Sequence, residues 1–312
     1  MSAEGPDPLR VIVGPTAAGK SAIAMALAEQ IGATIISADS RQLYAGFDIG
    51  TAKPTVAEQA KIPHAGIDII PPTERYSAHR WAADAEHWMA AARNAGRPSL
   101  IVGGTGFYIR ALVEPLDAVP SLDPERRRAL EDYLATLDRE AIHRWCVRLD
   151  PVRAALGHAQ QRRAIETVLL SGTRLSHAFA SVDAPTPVRR PVHYLVVDPG
   201  PVLASRIALR VQAMVQAGWP DEVRALMATV PADAPAWQAS GYGMMRTAVS
   251  GGCTMAHAIE RITIETRQYA KRQRTWFRHQ LPAAQVTLLD SGMPDAAAQA
   301  MVWWSSTGEG RV

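Results

Sequence analysis

The stretch VIVGPTAAGKSAIA, Val11–Ala24, decides the fold. It joins an apolar run to a glycine-rich turn and then to an alanine-rich amphipathic segment. Residues Gly14, Pro15, Thr16, Ala17, Ala18, Gly19, Lys20 and Ser21 fit G-x-x-x-x-G-K-[ST], with a strand expected over 9–14 and a helix expected to end at Gly32. In that setting the backbone N–H groups and the helix N-terminus face an anion. Lys20 adds a point charge, and the Ser21 hydroxyl is placed to ligate Mg²⁺ that keeps most of its water. The pattern implies a bound di- or triphosphate and does not specify ATP. No N-K-x-D guanine signature is present. Asp198, at the end of YLVVD, has two readings: a Walker B acid, or one of the many strands that simply end in Asp.

Working outward, ATIISAD reads as a second strand, SAHRWAADAEHWMAAARNAG as a helix closed by Gly96, and PSLIVGGTG as a third strand. Strand–helix alternation implies a parallel sheet with crossover helices. The pattern then changes. From Pro120 to about Gly172 only helical periodicity is visible, and VHYLVVD resumes the sheet. The expected class is therefore α/β: a P-loop NTPase-like parallel core with an inserted all-helical subdomain. The core is expected over 1–115 and 193–290 with basic C-terminal helices, the insertion over 116–192, and a loosely held tail over 291–312.

Bulk properties exclude several classes. With 312 residues, 47% hydrophobic and 20% charged, the chain should be a soluble globular protein. No apolar run approaches a membrane span, and the N-terminus lacks a signal core, so a cytoplasmic protein is expected. Cys146 and Cys253 are expected as free thiols, and no Cys/His cluster has zinc spacing. Trp81, Trp88 and Trp219 read as packing residues. The net charge is +3 and the isoelectric point about 9.0.

Two further features bear on chemistry. Asp39 follows the second strand, and Thr105 sits in the turn after the third. Ligands of open parallel sheets bind at the carboxyl ends of strands, so the loop, Asp39 and Thr105 should converge on one crevice. There Asp39 either accepts a proton from a substrate or, with Ser40, merely caps the next helix. In IERITIETRQYAKRQRTWFRHQ, Arg267, Lys271, Arg274 and Arg278 recur at steps of four, three and four, which makes one helical stripe. It suits a polyanion backbone, or else it is a solvated face with internal salt bridges. Arg126–Arg128, Arg162, Arg163 and Arg174 in the insertion add to the first reading.

The chain resembles the tRNA dimethylallyltransferases, the isopentenyl transferases that modify adenosine 37 beside the anticodon. The resemblance rests on GPTAAGKS, ISADSRQLYAGFDIGTAKP, IPHAGIDI, YSA, IVGGTGFYIRAL, RIALRVQAMVQAGWPDEV, GYG and TRQYAKRQRTWFR, spread over residues 11–280. It implies transfer of a dimethylallyl group from dimethylallyl diphosphate to adenine N6 with release of diphosphate. Asp39 would orient the amine and take its proton. Lys20, Thr105, Arg210 and Mg²⁺ on Ser21 would stabilise the departing charge, with Arg206 and Arg210 the two arginines of the family's R-x-x-x-R. The tRNA anticodon stem-loop would meet Asp39, Ser40, Arg41, Gln42, Thr105, Arg127, Gln160, Gln161, Arg162, Arg163, Gly241, Tyr242, Arg267 and Lys271. The enzyme would act as a monomer without a membrane. Two departures are visible: the segment LGHAQQRRAIE is shorter than the family's, and Gly243 replaces its usual Arg or Lys. The rivals are a small-molecule P-loop kinase, which would turn over ATP, and a non-catalytic RNA-binding relative, which would have no turnover to lose.

Overall fold

A computed structural model describes residues 8–114, 122–178 and 190–306. The chain forms two compact units, Met1–Val113 with Arg190–Val312, and Glu114–Arg189.

In the larger unit, β1 (Leu9–Val13) feeds the glycine loop and α1 (Lys20–Ile31), followed by β2 (Thr34–Ser37), α2 (Val56–Lys61), β3 (His64–Ala65), α3 (Ala78–Asn94), β4 (Ser99–Gly103) and α4 (Gly106–Val113). The helix boundaries follow local chemistry. Gly32 takes φ 65° and its N–H closes α1 on Ala28 O. Thr55 and Glu58 form a reciprocal capping box on α2. The smaller unit holds α5 (Pro124–Ala135), α6 (Arg139–Leu149), α7 (His158–Ser171) and α8 (Leu175–Ala178). Asp123 and Asp138 cap the first two, and Ile142, Cys146, Ala164 and Ile165 form a core of their own.

The larger unit resumes with β5 (Val192–Val197), α9 (Leu203–Gln216), α10 (Trp219–Thr229), α11 (Tyr242–Val249), α12 (Met255–Gln280), β6 (Val286–Leu289) and α13 (Ala296–Ser306). All six strands are parallel in the order β3-β2-β4-β1-β5-β6. The central strands β1, β4 and β5 are apolar and almost wholly buried, as strands covered on both faces must be. Periodicity did not reveal the edge strands β3 and β6. The first has two residues, and the second leaves Leu288 76% exposed.

The expected loose tail is corrected over Ala296–Ser306. This segment is helical because Ala296, Ala300 and Trp303 recur on one face and pack against α1 and β6. Residues 307–312 lie outside those described. Among the described residues no helix is long and apolar enough to cross a membrane. Because Trp303 is only 3% exposed, Trp303→Ala is expected to cost ~3–5 kcal/mol, read as a shift of the urea midpoint at unchanged slope. A change below 0.5 kcal/mol, the ordinary range for surface positions, would show that the helix is dispensable to the fold.

Candidate active site

The glycine loop is shaped by what its backbone must avoid. Gly14 has φ 148°, and a Cβ there would fall 2.1 Å from Val197 O at the end of β5. Ala17 (φ 61°) and Gly19 (φ 91°) are left-handed, the kind of turn that aims successive amides into one concavity. Ala17 is held in that state by packing against Leu203, Ile207 and Ala270. Lys20 folds back over the loop, its Nζ donating to Gly14 O (2.9 Å) and Pro15 O (2.7 Å). Burial, with Arg210 nearby, lowers the Lys20 ammonium to about pKa 8, and the Asp39 charge partly opposes this.

The acid is carried by the neighbouring strand end. β2 stops at Ser37, and Asp39 lies two residues beyond it. The backbones of this turn and the β4 turn are stitched together: Ala38 N–H donates to Val102 O and Thr105 N–H to Ala38 O. The contact is so close that a Cβ on Gly103 would lie 2.1 Å from Ala38 O. Thr105 Oγ1 accepts from Ser40 N–H at 3.0 Å, and Asp39 Oδ1 accepts from Arg41 N–H at 2.9 Å. Asp39 therefore both closes a local turn and lines the cavity, so the two sequence readings are not exclusive. Thr105 holds the acid-bearing turn through Ser40 and is not part of the cavity wall.

Lys20, Ser21, Asp39 and Arg210 line one cavity of about 630 Å³ within the larger unit. Ile207, Val211, Met214, Trp219 and Ile262 supply an apolar wall. Arg210, on α9, is shifted down by burial, with Asp39 acting in the opposite sense. No protein group among the described residues hydrogen-bonds its guanidinium. Burial and the Asp39 charge also push the Tyr269 phenol, on the cavity wall, up to about 12.

Several expected contact residues have other structural duties. Gly241 and Tyr242 are buried. The Tyr242 hydroxyl donates to Glu222 Oε1 (2.6 Å) and accepts from Gly50 N–H (3.1 Å), while Glu222 Oε2 accepts from Asp48 and Ile49 N–H. Together they fasten the DIGTAKP loop, and Gly241 lacks a side chain because Trp219 lies against it. Gln42 does similar work: Ser37 Oγ donates to its Oε1, and its Nε2 donates to Ala52 O. Gln161 is buried and donates to Ala154 O and Leu156 O. Arg127 pairs with Glu131 and Glu166, and Arg162 donates to Glu131 O. Gln160 and Arg163 remain exposed on α7. Arg206 is held by Ser291, whose hydroxyl donates to Ala18 O in the glycine loop. The basic stripe is interrupted: Arg274 pairs with Asp198, which also accepts from Gly200 N–H. That engagement removes Asp198 from a Walker B role. Arg267, Lys271 and Arg278 stay exposed.

Gln273 was not anticipated. It is 8% exposed, accepts from Thr16 N–H (2.8 Å) and donates to Gly104 O (2.9 Å). Its place one turn after Tyr269 on α12 was the available signal.

Known proteins resemble this chain over most of its length. The family model described as IPP transferase matches residues 42–280, and that described as Isopentenyl transferase matches 8–65. The tRNA dimethylallyltransferase of Halorhodospira halophila is 40% identical over 91% of this chain and 94% of its own length. That of Myxococcus xanthus is 41% identical over 86% and 89%. The full-length tRNA isopentenylpyrophosphate transferase of Bacillus halodurans superposes with a TM-score of 0.66 at 30% identity, covering 97% of this chain and 99% of that one. A eukaryotic dimethylallyltransferase, solved acting on tRNA, superposes at 0.77 with 25% identity over 95% and 78%. On a P-loop NTPase-like core, and with a match extending through the acid, the cavity wall and the long C-terminal helix, this chain belongs to the IPP transferase family.

Proposed function

We propose that the protein transfers a dimethylallyl group from dimethylallyl diphosphate to N6 of adenosine 37 in tRNA, releasing diphosphate. One observation carries the reading. Two half-buried cations, Lys20 and Arg210, share a cavity with one carboxylate, Asp39, and Arg210 has no protein hydrogen-bond partner among the described residues. A diphosphate supplies the missing anion, and the carboxylate is left for the incoming nucleophile.

The reaction breaks the bond from the prenyl carbon to the diphosphate oxygen and forms one from that carbon to N6. The amine's surplus proton passes to Asp39. Adenine's amine lone pair is delocalised into the ring, so a carboxylate that orients it and receives its proton supplies ~10²–10⁴-fold. Negative charge grows on the leaving diphosphate, where the loop amides, Lys20 and Arg210 stabilise it. The apolar wall of Ile207, Val211 and Met214 excludes water that would compete for the prenyl carbon.

Among the described residues no group of three or more His, Cys, Asp or Glu could hold a metal. Ser21, exposed in the first turn of α1, offers one hydroxyl oxygen beside the loop. That suits Mg²⁺, which is bound by few protein ligands plus phosphate oxygens and water. Bound there, Mg²⁺ would neutralise charge on the diphosphate.

The target base has to leave its stack to enter the cavity. Arg267 and Lys271 on α12, and Gln160 and Arg163 on α7, are exposed and of the right type to meet an anticodon stem-loop.

Labelled dimethylallyl diphosphate is expected to be incorporated into tRNA bearing A37. Asp39→Asn should lower kcat by ~10²–10⁴-fold while tRNA binding, measured by filter retention, changes less than about threefold. Full turnover in Asp39→Asn, or ATP hydrolysis with a small acceptor, would rule the reading out. A second expectation concerns Lys20. In the free protein it is charged below about pH 8 and neutral above, and a diphosphate restores its charge. Binding inorganic pyrophosphate at pH 8.5 should therefore take up a large fraction of a proton, roughly three-quarters, more in the wild type than in Lys20→Met. Calorimetry in two buffers of unlike ionisation enthalpy measures the difference, and equal uptake would place the diphosphate elsewhere.

A further inference from the structure

Gln273 joins the two halves of the site. Its Oε1 accepts from Thr16 N–H of the glycine loop, and its Nε2 donates to Gly104 O of the β4 turn. From Gly104 the connection passes to Thr105, whose N–H donates to Ala38 O and whose hydroxyl accepts from Ser40 N–H. Asp39 lies between Ala38 and Ser40. One side-chain amide thus joins the cradle of the leaving group to the turn that carries the base, beside the β1–β4 backbone ladder.

Two further observations make the link specific. Gln273 is one of the few buried polar side chains of the larger unit, and both ends of its amide are satisfied in the sense that an amide requires: acceptor to N–H, donor to C=O. Gly104 is shaped for it, since a Cβ there would stand 2.4 Å from Gln273 Nε2. The amide also occupies Thr16 N–H, which leaves that donor unavailable to a phosphate.

We propose that Gln273 is a positioning residue: it sets the separation between the diphosphate cradle and Asp39, so that the prenyl carbon and the amine meet at reacting distance. It touches neither reacting atom. The inference rests on the reading above, in which the loop holds diphosphate and Asp39 receives the proton. A misplacement of about 1 Å costs ~10²-fold in rate, whereas binding of each substrate separately survives it.

The test is a double-mutant cycle between Gln273→Met, which keeps the length and loses both hydrogen bonds, and Gly104→Ala, which pushes the bridge away from its other end. Each single variant is expected to lower kcat ~10–100-fold, with KM for tRNA and the affinity for inorganic pyrophosphate within about threefold of wild type. The double variant is expected to be no worse than the poorer single one. Thermal unfolding of each variant separates this from a packing role, in which the melting temperature falls and kcat per folded molecule does not. Losses that multiply in the double variant, or an unchanged kcat in Gln273→Met, overturn the inference while leaving wild-type turnover as support for the function. A wild-type enzyme without turnover overturns both.

Discussion

The constraint on which the site depends is electrostatic. Lys20 and Arg210 are partly withdrawn from water beside each other, and burial lowers the affinity of both for a proton. A charged group in such a place is stable only with a partner. Asp39 supplies one negative charge for two positive ones. The deficit is the physical content of the cavity: it favours an anion at the loop and penalises a neutral occupant, and it grows to two charges where Asp39 is engaged by the nucleophile.

Holding like charges together requires a rigid frame, and the frame is made of backbone. At Gly14 and Gly103 two strand ends approach so closely that no side chain fits between them. These contacts fix the loop against β5 and the acid-bearing turn against β4 without relying on side-chain rotamers, which are the softer element in most sites. They leave two freedoms: the distance from loop to turn, which Gln273 spans, and the loop after β2, which Glu222 and Tyr242 hold by taking up three of its backbone N–H groups. Lys53 reinforces that loop from within, pairing with Asp48 and Asp68. Residues that reach the cavity are thus supported by residues that do not.

What could be read from the sequence follows from range. The glycine loop, the long helices before Leu281 and strands β1, β2, β4 and β5 depend on local spacing and on apolar runs, so they were visible, whereas the C-terminal helix α13 was not. Strands β3 and β6 were not: two residues have no period, and a solvent-facing Leu288 imitates a loop. The convergence of Lys20 and Asp39 could be anticipated because strand ends in a parallel sheet meet. The partners of Gln273 and Glu222 could not, because they lie 257 and 173 residues away and a polar residue on an amphipathic helix ordinarily faces water.

The basic helix shows why residue type alone misleads. Arg267, Lys271, Arg274 and Arg278 share one stripe by helical arithmetic, yet Arg274 is spent on Asp198 and the others remain exposed. Arg206 and Arg210 stand one helical turn apart on α9 and diverge in the same way, one held by Ser291 and the other without a protein hydrogen-bond partner among the described residues. What separates each pair is whether a complementary group happens to be within reach of the guanidinium fork. Asp198 and Ser291 follow the last two strands of the sheet, and each receives the arginine that faces it. Arg210 stands beside Lys20, and among the described residues the carboxylate whose charge reaches it is Asp39, the one that the chemistry requires to stay available.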